Sequence, residues 1–575
     1  MSMGEQRNEI LVIEPTTTLW MYYVTWASRP QLWDIGRNFQ QFVTTLEKSQ
    51  VEYDLGSEQI MNNYGSVSQN RFKVGKRSYS IVVIPPLVEN LNKSTFNLLK
   101  EFAKSGGKII SFSMPTLVDG RKNEEILRFF QNDKLVIKER ELTQNIISKY
   151  LTVNDFSINF TGGNLFHHRR KLNDGEIVLL VNSDLNESSK GTLICDGTDA
   201  VELKSFTGKI ADYPENNVSK KISCDYDIPP GGHLLLYVFK KGYKRFSHPI
   251  VNKHVECLKP VSPLRITPLK SNVLVVDFCD LDLGDSIYKN IHIYEADQKV
   301  FKNCGFPDGN PWGNAIQYKK NIVERNISQH KGFKLTYHFN VEKQLDTSNW
   351  KIVVERAHLY SIIINGVEVS NKRDGWWIDR EFSSLPLGKY ISCGENTLTL
   401  SLDTMNLDAE PAPIYVVGDF RLSSVKNGWN IAGAKNVIGL GSWKQQGWPF
   451  YSDAVAYEQD FWIPIHKKNV CYEIQLGNWK GTVSEVLVNG FSAGIIAFKP
   501  YTLDVSKWIQ QGKNSISVRI IGSNKNLFGP FHNHSSIGFV TPNLYKGTIN
   551  WPSGEDYIQF DYGLYEPFLL VGKCK

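Results

Sequence analysis

The sequence predicts a multidomain, mainly β protein, in which an α/β domain is followed by a small β domain and two β-sandwich jelly rolls. Three observations support this class. The chain of 575 residues is too long for one hydrophobic core. Residues 1–150 alternate apolar strands with helical patterns, whereas the remainder is rich in short strands and in glycine or asparagine turns. Two similar segments in the C-terminal half also indicate a duplicated domain.

Composition and charge restrict the possible partners. Apolar residues make up 41% of the chain and aromatic residues 12%, an aromatic excess that is typical of sugar-binding proteins. The 65 basic and 59 acidic residues are scattered, and without a long Lys/Arg block we expect no nucleic-acid partner. The eight cysteines are widely spaced and lack a CxxC pair, which argues against a zinc knuckle or a dense disulfide framework.

The sequence predicts no membrane partner. The start, MSMGEQRNEILVIEP, lacks the apolar region of a signal peptide, and no apolar run reaches the roughly 18 residues of a membrane span. As written, the chain is expected to be cytoplasmic; as a fragment of an exported precursor, it would be extracellular or periplasmic. A strand-like segment that starts by residue 9 favours an upstream part that is missing or separately encoded.

Residues 1–150 predict a doubly wound α/β scaffold with a mainly parallel sheet. The carboxyl ends of its strands carry Pro15, Asp54, Pro85 and Ser113. The layout resembles the class I glutamine amidotransferase-like fold, whose catalytic members need a cysteine on a tight turn. No cysteine precedes Cys195, and the turn at 111–115 lacks the G-x-S-x-G of a serine hydrolase. We therefore expect an inert scaffold, with Glu58 a solvated loop acid rather than a functional carboxylate.

Residues 151–245 predict a small antiparallel β domain, from strands such as GEIVLLVNSD and GGHLLLYVFKKG. The run His167-His168-Arg169-Arg170 is a candidate for binding a sugar or an anion. Adjacent residues of an extended segment point to opposite faces, so two of the four are expected to face solvent.

The repeat predicts two sandwiches, at 262–425 and 426–575, after a proline-containing linker at 259–268. The copies are YHFNV, SIIINGVEV and GENTLTLSL at 337–341, 361–369 and 394–402, and YEQDFWIP, EVLVNGFSAG and GKNSISVRI at 457–464, 485–494 and 512–520. Asn and Gly both tolerate the positive φ of a type I′ turn, so Asn365-Gly366 and Asn489-Gly490 predict hairpin tips.

Several segments resemble known carbohydrate-active families. The second copy, with its VNG, PYTLDVSKWI and GKN, resembles the sugar-binding, galactose-binding-like domain of family 2 glycoside hydrolases. The segments FCDLDLGDSIYKNIHIY, NPWGNAIQYK, RDGWWIDREF, YVVGDFRL, QGWPFYSDAVAYEQDF and NLFGPFH resemble the C-terminal part of α-L-rhamnosidases of glycoside hydrolase family 106. This resemblance covers nearly the whole chain.

The resemblance implies an accessory part of a glycoside hydrolase. In that family an (α/β) barrel supplies the acid and base carboxylates; the barrel is absent here, so no catalytic residue carries over. The implied ligand is a rhamnose-containing or other glycan, and the implied partner is a catalytic barrel on a longer precursor or a neighbouring chain. Two alternatives remain open: a complete glycosidase with a cryptic interdomain site, and a purely structural or assembly module.

Two segments are candidates for sugar contact, because sugars are bound by flat aromatic rings together with carboxylates. The candidate residues are Asp374, Trp376 and Trp377 in the first segment, and Trp448, Tyr451 and Asp453 in the second. Adjacent tryptophans on a strand cannot share a face, so at least one is expected to pack inside. The second segment either lines a cleft or closes the end of a sandwich.

The sequence predicts no cofactor, and calcium is the one exception that it allows. Asp280 and Asp282 alternate along an apparent strand, share a face and are candidate calcium ligands, with a structural role as the alternative. His532 and His534 form an i, i+2 pair without a third ligand, for which a polar loop is the default interpretation.

Overall fold

The computed structural model describes residues 3–6, 8–24, 29–132, 134–152, 155–206, 208–218, 221–242, 255–313, 331–372, 375–434, 438–465, 470–532, 551 and 553–574. The chain forms two compact units, Met1–Val251 with Phe498–Pro500, and Asn252–Ala497 with Tyr501–Lys575. Most of the described elements are strands in separate sheets, which confirms the multidomain, mainly β class. Within the described residues, no helix has the length and apolar character needed to cross a membrane.

The first unit begins with the predicted α/β domain. Its strands are β1 (Ile10–Ile13), β2 (Tyr53–Gly56), β3 (Gly65–Ser68), β4 (Arg71–Val74), β5 (Arg77–Tyr79), β6 (Ile81–Ile84), β7 (Asn90–Leu91), β8 (Lys108–Ser111), β9 (Leu117–Val118), β10 (Arg121–Lys122) and β11 (Ile137–Lys138). Its helices are α1 (Thr16–Tyr22), α2 (Pro30–Lys48), α3 (Glu58–Tyr64), α4 (Lys93–Lys104), α5 (Glu124–Gln131) and α6 (Gln144–Tyr150).

A parallel sheet in the order β11, β8, β6, β1, β2 forms the centre of this domain. Every residue of β1 and β6 is buried, as expected for strands covered on both faces. Separate apolar clusters pack on the two faces, one including α4 and α5 and the other α2 and α6. The predicted α/β layout with a mainly parallel sheet is therefore confirmed.

The polar residues at the carboxyl ends of these strands form hydrogen bonds with other residues of the same domain. Asp54 accepts hydrogen bonds from Asn8 Nδ2 and Tyr79 OH, both at 2.8 Å. Ser113 Oγ donates to the carbonyl oxygen of Pro85 at 2.9 Å. Glu58 is buried and accepts from the hydroxyl of Thr17 at 2.5 Å and the backbone N–H of Asn92 at 2.7 Å. The expectation of a solvated Glu58 was wrong, because its carboxylate satisfies buried donors.

The small β domain consists of two antiparallel sheets around an apolar core. Its strands are β12 (Phe156–Thr161), β13 (Leu165–Lys171), β14 (Gly175–Asn182), β15 (Ser189–Asp196), β16 (Asp199–Lys204), β17 (Lys209–Asp212), β18 (Asn216–Val218), β19 (Lys221–Ile228) and β20 (His233–Phe239). The sheet orders are β12, β15, β19, β18 and β13, β14, β20, β16, β17. Alternate residues of β19 and β20 face the core, as the period of a strand requires.

A buried ion cluster joins the α/β domain to the small β domain. The guanidinium of Arg169 on β13 donates to both carboxylate oxygens of Glu52, at 2.9 and 2.5 Å, and to Asp155 at 3.1 Å and Glu176 at 3.3 Å. Burial acts to raise the pKa of Asp155, but hydrogen bonds from Lys171 and Arg169 outweigh it and lower that pKa to about 2. The ionised form of Asp155 therefore stabilises the folded first unit.

Strand β13 also contains the predicted His167-His168-Arg169-Arg170 run. His167 Nδ1 lies 2.7 Å from Gln50 Oε1, on the side of the strand where Arg169 is buried. On the other side, Arg170 donates to the carbonyl oxygens of Met3 and Gly4 at 2.6 Å. The segment therefore makes contacts within the first unit on both faces.

The second unit contains the remaining elements. Its first part comprises β21 (Val255–Leu258), β22 (Arg265–Pro268), β23 (Asn272–Val276), β24 (Phe278–Asp282), β25 (Ile287–His292), α7 (Ile293–Asn303), β26 (Phe333–Val341), β27 (Lys351–Glu355), β28 (Ser361–Ile364), β29 (Val367–Val369), β30 (Trp376–Trp377), β31 (Asp379–Pro386), β32 (Gly394–Leu402), β33 (Ile414–Gly418), β34 (Phe420–Ser424) and β35 (Trp429–Ala434). Its second part comprises β36 (Ala454–Ile463), β37 (Val470–Gln475), β38 (Trp479–Lys480), β39 (Val483–Val488), β40 (Phe491–Ile496), β41 (Thr502–Asp504), β42 (Gly512–Ile521), α8 (Lys525–Phe528), β43 (Gly563–Leu564) and β44 (Leu569–Cys574).

Two sandwiches follow from the strand pairing. In the first, the sheet β23, β33, β27, β31, β30 packs with a sheet that contains β25, β24, β26, β32, β28 and β29. In the second, β21, β44, β37, β41 packs with β22, β36, β42, β39, β40. Strands β21 and β22 precede the first sandwich in sequence but pair within the second, so the boundary predicted at residue 262 does not coincide with the pairing.

Both predicted Asn-Gly hairpins are present. Asn365 and Gly366 have φ of 46° and 80°, and they form a two-residue loop between the paired residues Ile364 and Val367. The second copy has φ of 53° at Asn489 and 84° at Gly490, between Val488 and Phe491. Left-handed φ at both central residues is the type I′ geometry that the sequence predicts.

An asparagine pair, of which the second member is buried, fastens each hairpin to the neighbouring turn. Asn365 Nδ2 donates to Asn396 Oδ1 at 2.8 Å, and Asn489 Nδ2 donates to Asn514 Oδ1 at 3.0 Å. The second asparagine of each pair also caps its own turn, as Asn514 does by donating to the carbonyl oxygens of Gln510 and Gly512. The duplicated sequence signal is therefore a duplicated hydrogen-bond arrangement.

We predict that Asn514→Ala lowers the free energy of unfolding of the second sandwich by about 2 kcal/mol or more, because it leaves buried donors and acceptors without partners. Urea denaturation followed by tryptophan fluorescence measures this. Asn478→Ala, at an exposed asparagine of the same sandwich, is the control and is expected to shift the transition little. Equal shifts for both variants would contradict a structural role for the pair.

We also predict that Arg169→Leu destabilises the first unit by about 3–5 kcal/mol at pH 7, because three carboxylates lose their buried cation. The folded pKa of Asp155 lies below its unfolded value, so its contribution is present above about pH 4 and is lost as the pH falls toward 2. The difference in the free energy of unfolding between wild type and Arg169→Leu should therefore become smaller as the pH falls.

Hydrogen exchange of strand β13, measured between pH 7 and pH 3 in increasing urea, checks this prediction. Arg37→Leu removes an exposed arginine that lies 3.9 Å from Asp34, and it serves as the control with little expected effect at any pH. A difference for Arg169→Leu that stays constant with pH would show that the carboxylates are not its cause.

Candidate functional site

Carboxylates gather around Arg356 at one end of the first sandwich. Arg356 directly follows β27 and has a left-handed φ of 46°, which is uncommon for a residue with a side chain. Its guanidinium donates to the carbonyl oxygen of Asp408 at 2.8 Å. It also lies 3.6 Å from a carboxylate oxygen of Glu381 and 3.9 Å from one of Glu410. We call Arg356, Glu355, Glu381, Glu410, Asp297 and Asn310 the acidic cluster.

An asparagine amide links two carboxylates of the acidic cluster. Asn310 Nδ2 lies 3.0 Å from a carboxylate oxygen of Asp297 and 2.8 Å from one of Glu410. Asn310 Oδ1 accepts the backbone N–H of Trp312 at 2.9 Å, which fixes the orientation of the amide. The indole of Trp312 in turn donates to the carbonyl oxygen of Leu407 at 2.9 Å. The Asn-Pro-Trp segment therefore positions a donor between two acids.

Burial changes the charge state of the acidic cluster. Burial is the largest influence on Asp297 of helix α7, and together with the charge of Glu410 it raises the pKa of Asp297 to about 8 despite the Asn310 hydrogen bonds. Burial likewise raises the pKa of Glu355, with the nearby charge of Glu410 adding to the effect. At neutral pH, Asp297 is therefore a neutral acid, held beside the amide of Asn310. A mixed set of this kind offers both donors and acceptors to hydroxyl groups.

One concave feature adjoins the acidic cluster, and a second shares Tyr360 with the first. A small cavity of about 10 Å³ is lined by Tyr337, Glu355 and Glu410 among others. A groove of about 560 Å³ is lined by Leu359–Ile362 and Glu368–Asn371. Its volume lies within the range of small-molecule sites, and Ser361, Glu368, Ser370 and Asn371 give it a polar lining.

The first predicted sugar segment lies on the hairpin that supplies Glu381. Trp376 on the edge strand β30 is 59% exposed, whereas Trp377 is half-buried and packs on Tyr415 with ring centroids 5.3 Å apart. The expected division into one outer and one inner tryptophan is present. Asp374 lies outside the described residues. Since β30 pairs with β31, which contains Glu381, the exposed ring and the acidic cluster share one hairpin.

The second predicted segment belongs to the core of the second sandwich. Trp448 and Tyr451 are each 1% exposed, and their rings meet edge to face at 5.1 Å. Tyr451 OH donates to the carbonyl oxygen of Ala454 at 2.9 Å, and Asp453 accepts the N–H of the same residue at 2.7 Å. These contacts match the alternative in which the segment closes the end of a sandwich. Sugar contact by the segment stays a prediction, and neither ring offers an exposed face.

The predicted calcium ligands share one face of β24, but nearby donors already bind them. Asp280 accepts from Lys289 Nζ and from the backbone N–H of Asn290, both at 2.8 Å. Asp282 accepts the N–H of Gly284 at 2.8 Å. Calcium binding by this pair stays a prediction.

Among the described residues, a different set places histidine and carboxylate ligand atoms within 4.8 Å of one another. It consists of Asp277, His292 and His532. His534 lies outside the described part of the chain.

Sequence reasoning did not identify Arg356, Asp297 or Glu410. Asn310 lies at the start of NPWGNAIQYK, one of the segments that carry the family resemblance, and this was the available signal. Asp297 comes from a helix, Glu355 and Glu381 from strands and Glu410 from a loop, and no spacing pattern connects them.

The known proteins that this chain resembles share little sequence identity with it and have low structural similarity scores. No family model matches the chain. No curated protein sequence matches it either. A rhamnosidase from Novosphingobium sp. PP1Y is 11% identical, with 91% of this chain and 37% of that chain covered and a TM-score of 0.45. A catalytic mutant of Gan42B, a GH42 β-galactosidase from G. stearothermophilus, is 8% identical over 41% of this chain and 40% of that chain, with a TM-score of 0.27.

An α-L-rhamnosidase from Streptomyces avermitilis, in complex with L-rhamnose, is 11% identical. The match covers 70% of this chain and 31% of that chain, with a TM-score of 0.19. The chain therefore spans less than half the length of each of these three glycoside hydrolases.

We predict that Asp297→Asn raises the melting temperature relative to wild type at pH 9 but not at pH 5. The folded pKa of Asp297 lies above its unfolded value, so its contribution to stability is complete below about pH 4 and is lost as the pH rises through about 8. Asparagine has no proton to lose. Calorimetric melting at both pH values measures the difference.

Asp308→Asn is the matched control, since Asp308 is exposed in the segment that leads to Asn310. It should melt like wild type at both pH values. An Asp297→Asn effect that is the same at pH 5 and pH 9 would contradict the raised pKa.

Proposed function

We propose that this chain is a glycan-binding, non-catalytic part of an α-L-rhamnosidase-type glycoside hydrolase, and that it binds sugar at the acidic cluster and Trp376. The observation that supports this most is the shared hairpin: Trp376 presents an exposed ring on β30, and Glu381 on the paired strand reaches Arg356. An exposed ring on the same hairpin as a charged, hydrogen-bonding group suits pyranose binding.

The chemistry of the acidic cluster suits sugar hydroxyls. The guanidinium of Arg356 is partly exposed and donates hydrogen bonds, whereas Glu381 and Glu410 accept them. Hydrogen bonds to charged groups contribute about 1.5–3 kcal/mol each, so a few suffice to orient a glycan on a flat ring. The polar groove that contains Tyr360 extends the surface available to a longer chain.

The rhamnose-type ligand is proposed from the sequence resemblance. Two of the segments that carry it, NPWGNAIQYK and RDGWWIDREF, supply Asn310, Trp376 and Glu381. The same resemblance leads us to propose a catalytic (α/β) barrel, on a longer precursor or a separate chain, as the partner. Calcium at Asp280 and Asp282, and sugar contact at Asp453, are secondary proposals within this function.

One observation favours a second candidate, a glycosidase complete in itself. Asp297, whose pKa is raised to about 8, shares the Asn310 amide with Glu410, and glycoside hydrolysis needs two neighbouring carboxyl groups of which one is protonated. Asp297 is buried and is therefore not open to a sugar in this structure. For this reason binding is the main proposal.

We predict that Trp376→Ala weakens binding of rhamnose-containing oligosaccharides up to about tenfold, the amount expected when a ring contact of about 0.5–1.5 kcal/mol is removed. Isothermal titration calorimetry of the full chain against a panel of glycans measures it. Trp462→Ala is the matched control, because Trp462 is 57% exposed on β36 of the second sandwich. It should leave the affinity unchanged.

Three outcomes would contradict the proposal. A flat titration across the panel with folded protein would favour a structural or assembly module. Equal weakening by the two tryptophan variants would place the site elsewhere. Release of p-nitrophenol from p-nitrophenyl α-L-rhamnoside by wild type, lost in Asp297→Asn, would favour the complete glycosidase.

A further inference from the structure

A carboxylate and two histidines meet in the interior of the second unit. None of the three belongs to the proposed glycan site. Asp277 lies between β23 and β24, His292 precedes helix α7, and His532 lies far along the chain. Their side chains are 0–4% exposed. Three polar groups from distant segments are thus enclosed together, which demands that they satisfy one another or a ligand.

One contact joins each histidine to the carboxylate at a distance that ligand atoms around one metal ion also have, and all three ligand atoms lie within 4.8 Å of one another. His292 Nε2 lies 3.5 Å and His532 Nε2 lies 3.4 Å from Asp277 Oδ2. N–H···O hydrogen bonds usually span about 2.7–3.2 Å. A tetrahedral zinc ion with bonds of about 2.0–2.2 Å places neighbouring ligand atoms about 3.3–3.5 Å apart.

Neighbouring side chains orient the carboxylate and one of the two histidines. Tyr557 OH lies 2.9 Å from Asp277 Oδ1 and 3.0 Å from Oδ2, so its hydrogen bond orients the carboxylate. The ring of Trp551 stacks on His292 with centroids 3.8 Å apart, and its indole donates to Glu295 at 2.8 Å. His532 is fully buried, and its Nδ1 has no hydrogen-bond partner within the described part of the chain.

We infer that Asp277, His292 and His532 form a binding site for one divalent transition metal ion of the zinc type. Two imidazoles and one carboxylate are a ligand set that zinc accepts. Because the ligands come from three segments far apart in sequence, a bound ion would cross-link β24 and α7 to the C-terminal part of the chain. Its main effect would be on stability, since metal that binds only the folded state stabilises it.

Metal binding at His292 would replace one hydrogen bond at the start of helix α7 by a metal–nitrogen bond. The backbone N–H of Tyr294 donates to His292 Nδ1 at 3.2 Å, an arrangement that leaves the ring proton on Nε2, facing Asp277. Coordination through Nε2 releases that contact and moves the ring proton to Nδ1. Zinc binding should therefore be accompanied by a change at the first turn of α7.

The test is a titration of metal-stripped full chain with Zn²⁺ in competition with a fluorescent chelator, together with Co²⁺ absorption spectroscopy. The inference predicts one equivalent of Zn²⁺, a visible absorption band from Co²⁺ in a tetrahedral site, and a higher melting temperature with Zn²⁺. His292→Ala and Asp277→Asn should bind Zn²⁺ more than about 100-fold more weakly. Substitution of a residue that only hydrogen-bonds to a metal ligand usually weakens binding by about 10- to 100-fold.

His338→Ala is the control, because His338 is partly exposed and contacts Asp280 and Glu395. It should retain one equivalent of Zn²⁺. Stoichiometry well below one in folded wild type, or undiminished binding by Asp277→Asn, would overturn the inference. The wild-type titration decides the question even if a variant fails to fold, and it is independent of glycan binding.

Discussion

Both sandwiches depend on the need to satisfy backbone groups where strands turn at the ends of a sheet. In each copy a buried asparagine, Asn396 or Asn514, closes its own turn and accepts from the asparagine at the tip of the neighbouring hairpin. One side chain therefore fixes two connections at once. Because a one-residue slip would turn every core side chain toward solvent, fixing the turns also fixes which residues form the core.

Charged clusters differ in function according to their access to solvent. Arg169 and its three carboxylates are enclosed by the first unit, where paired charges join two domains. Arg356 is partly exposed, has longer contacts to its acids and lies near a polar groove. The same residue types thus stabilise in one place and remain available to a ligand in the other. This contrast is the reason that the acidic cluster, and not the Arg169 cluster, is proposed to bind glycan.

Local patterns predicted local structure well in this chain. The alternation of strands and helices in residues 1–150 and the two Asn-Gly hairpins are confirmed, since both depend on neighbouring residues alone. The solvated Glu58 was wrong because its partners, Thr17 and Asn92, are distant in sequence. Aromatic residues were hardest to interpret: Trp376 and Trp448 occur in similar polar segments, yet one is exposed and the other lies in a core.

The sequence by itself determined the class of fold, the order of the domains and the duplicated turns, because strand period and turn chemistry act over a few residues. Tertiary structure decided which polar residues meet. Asp297, Asn310 and Glu410 come together, as do Asp277, His292 and His532, only when strands distant in sequence pair and enclose them. The same enclosure raises the pKa of Asp297, since desolvation depends on every segment that covers the carboxylate.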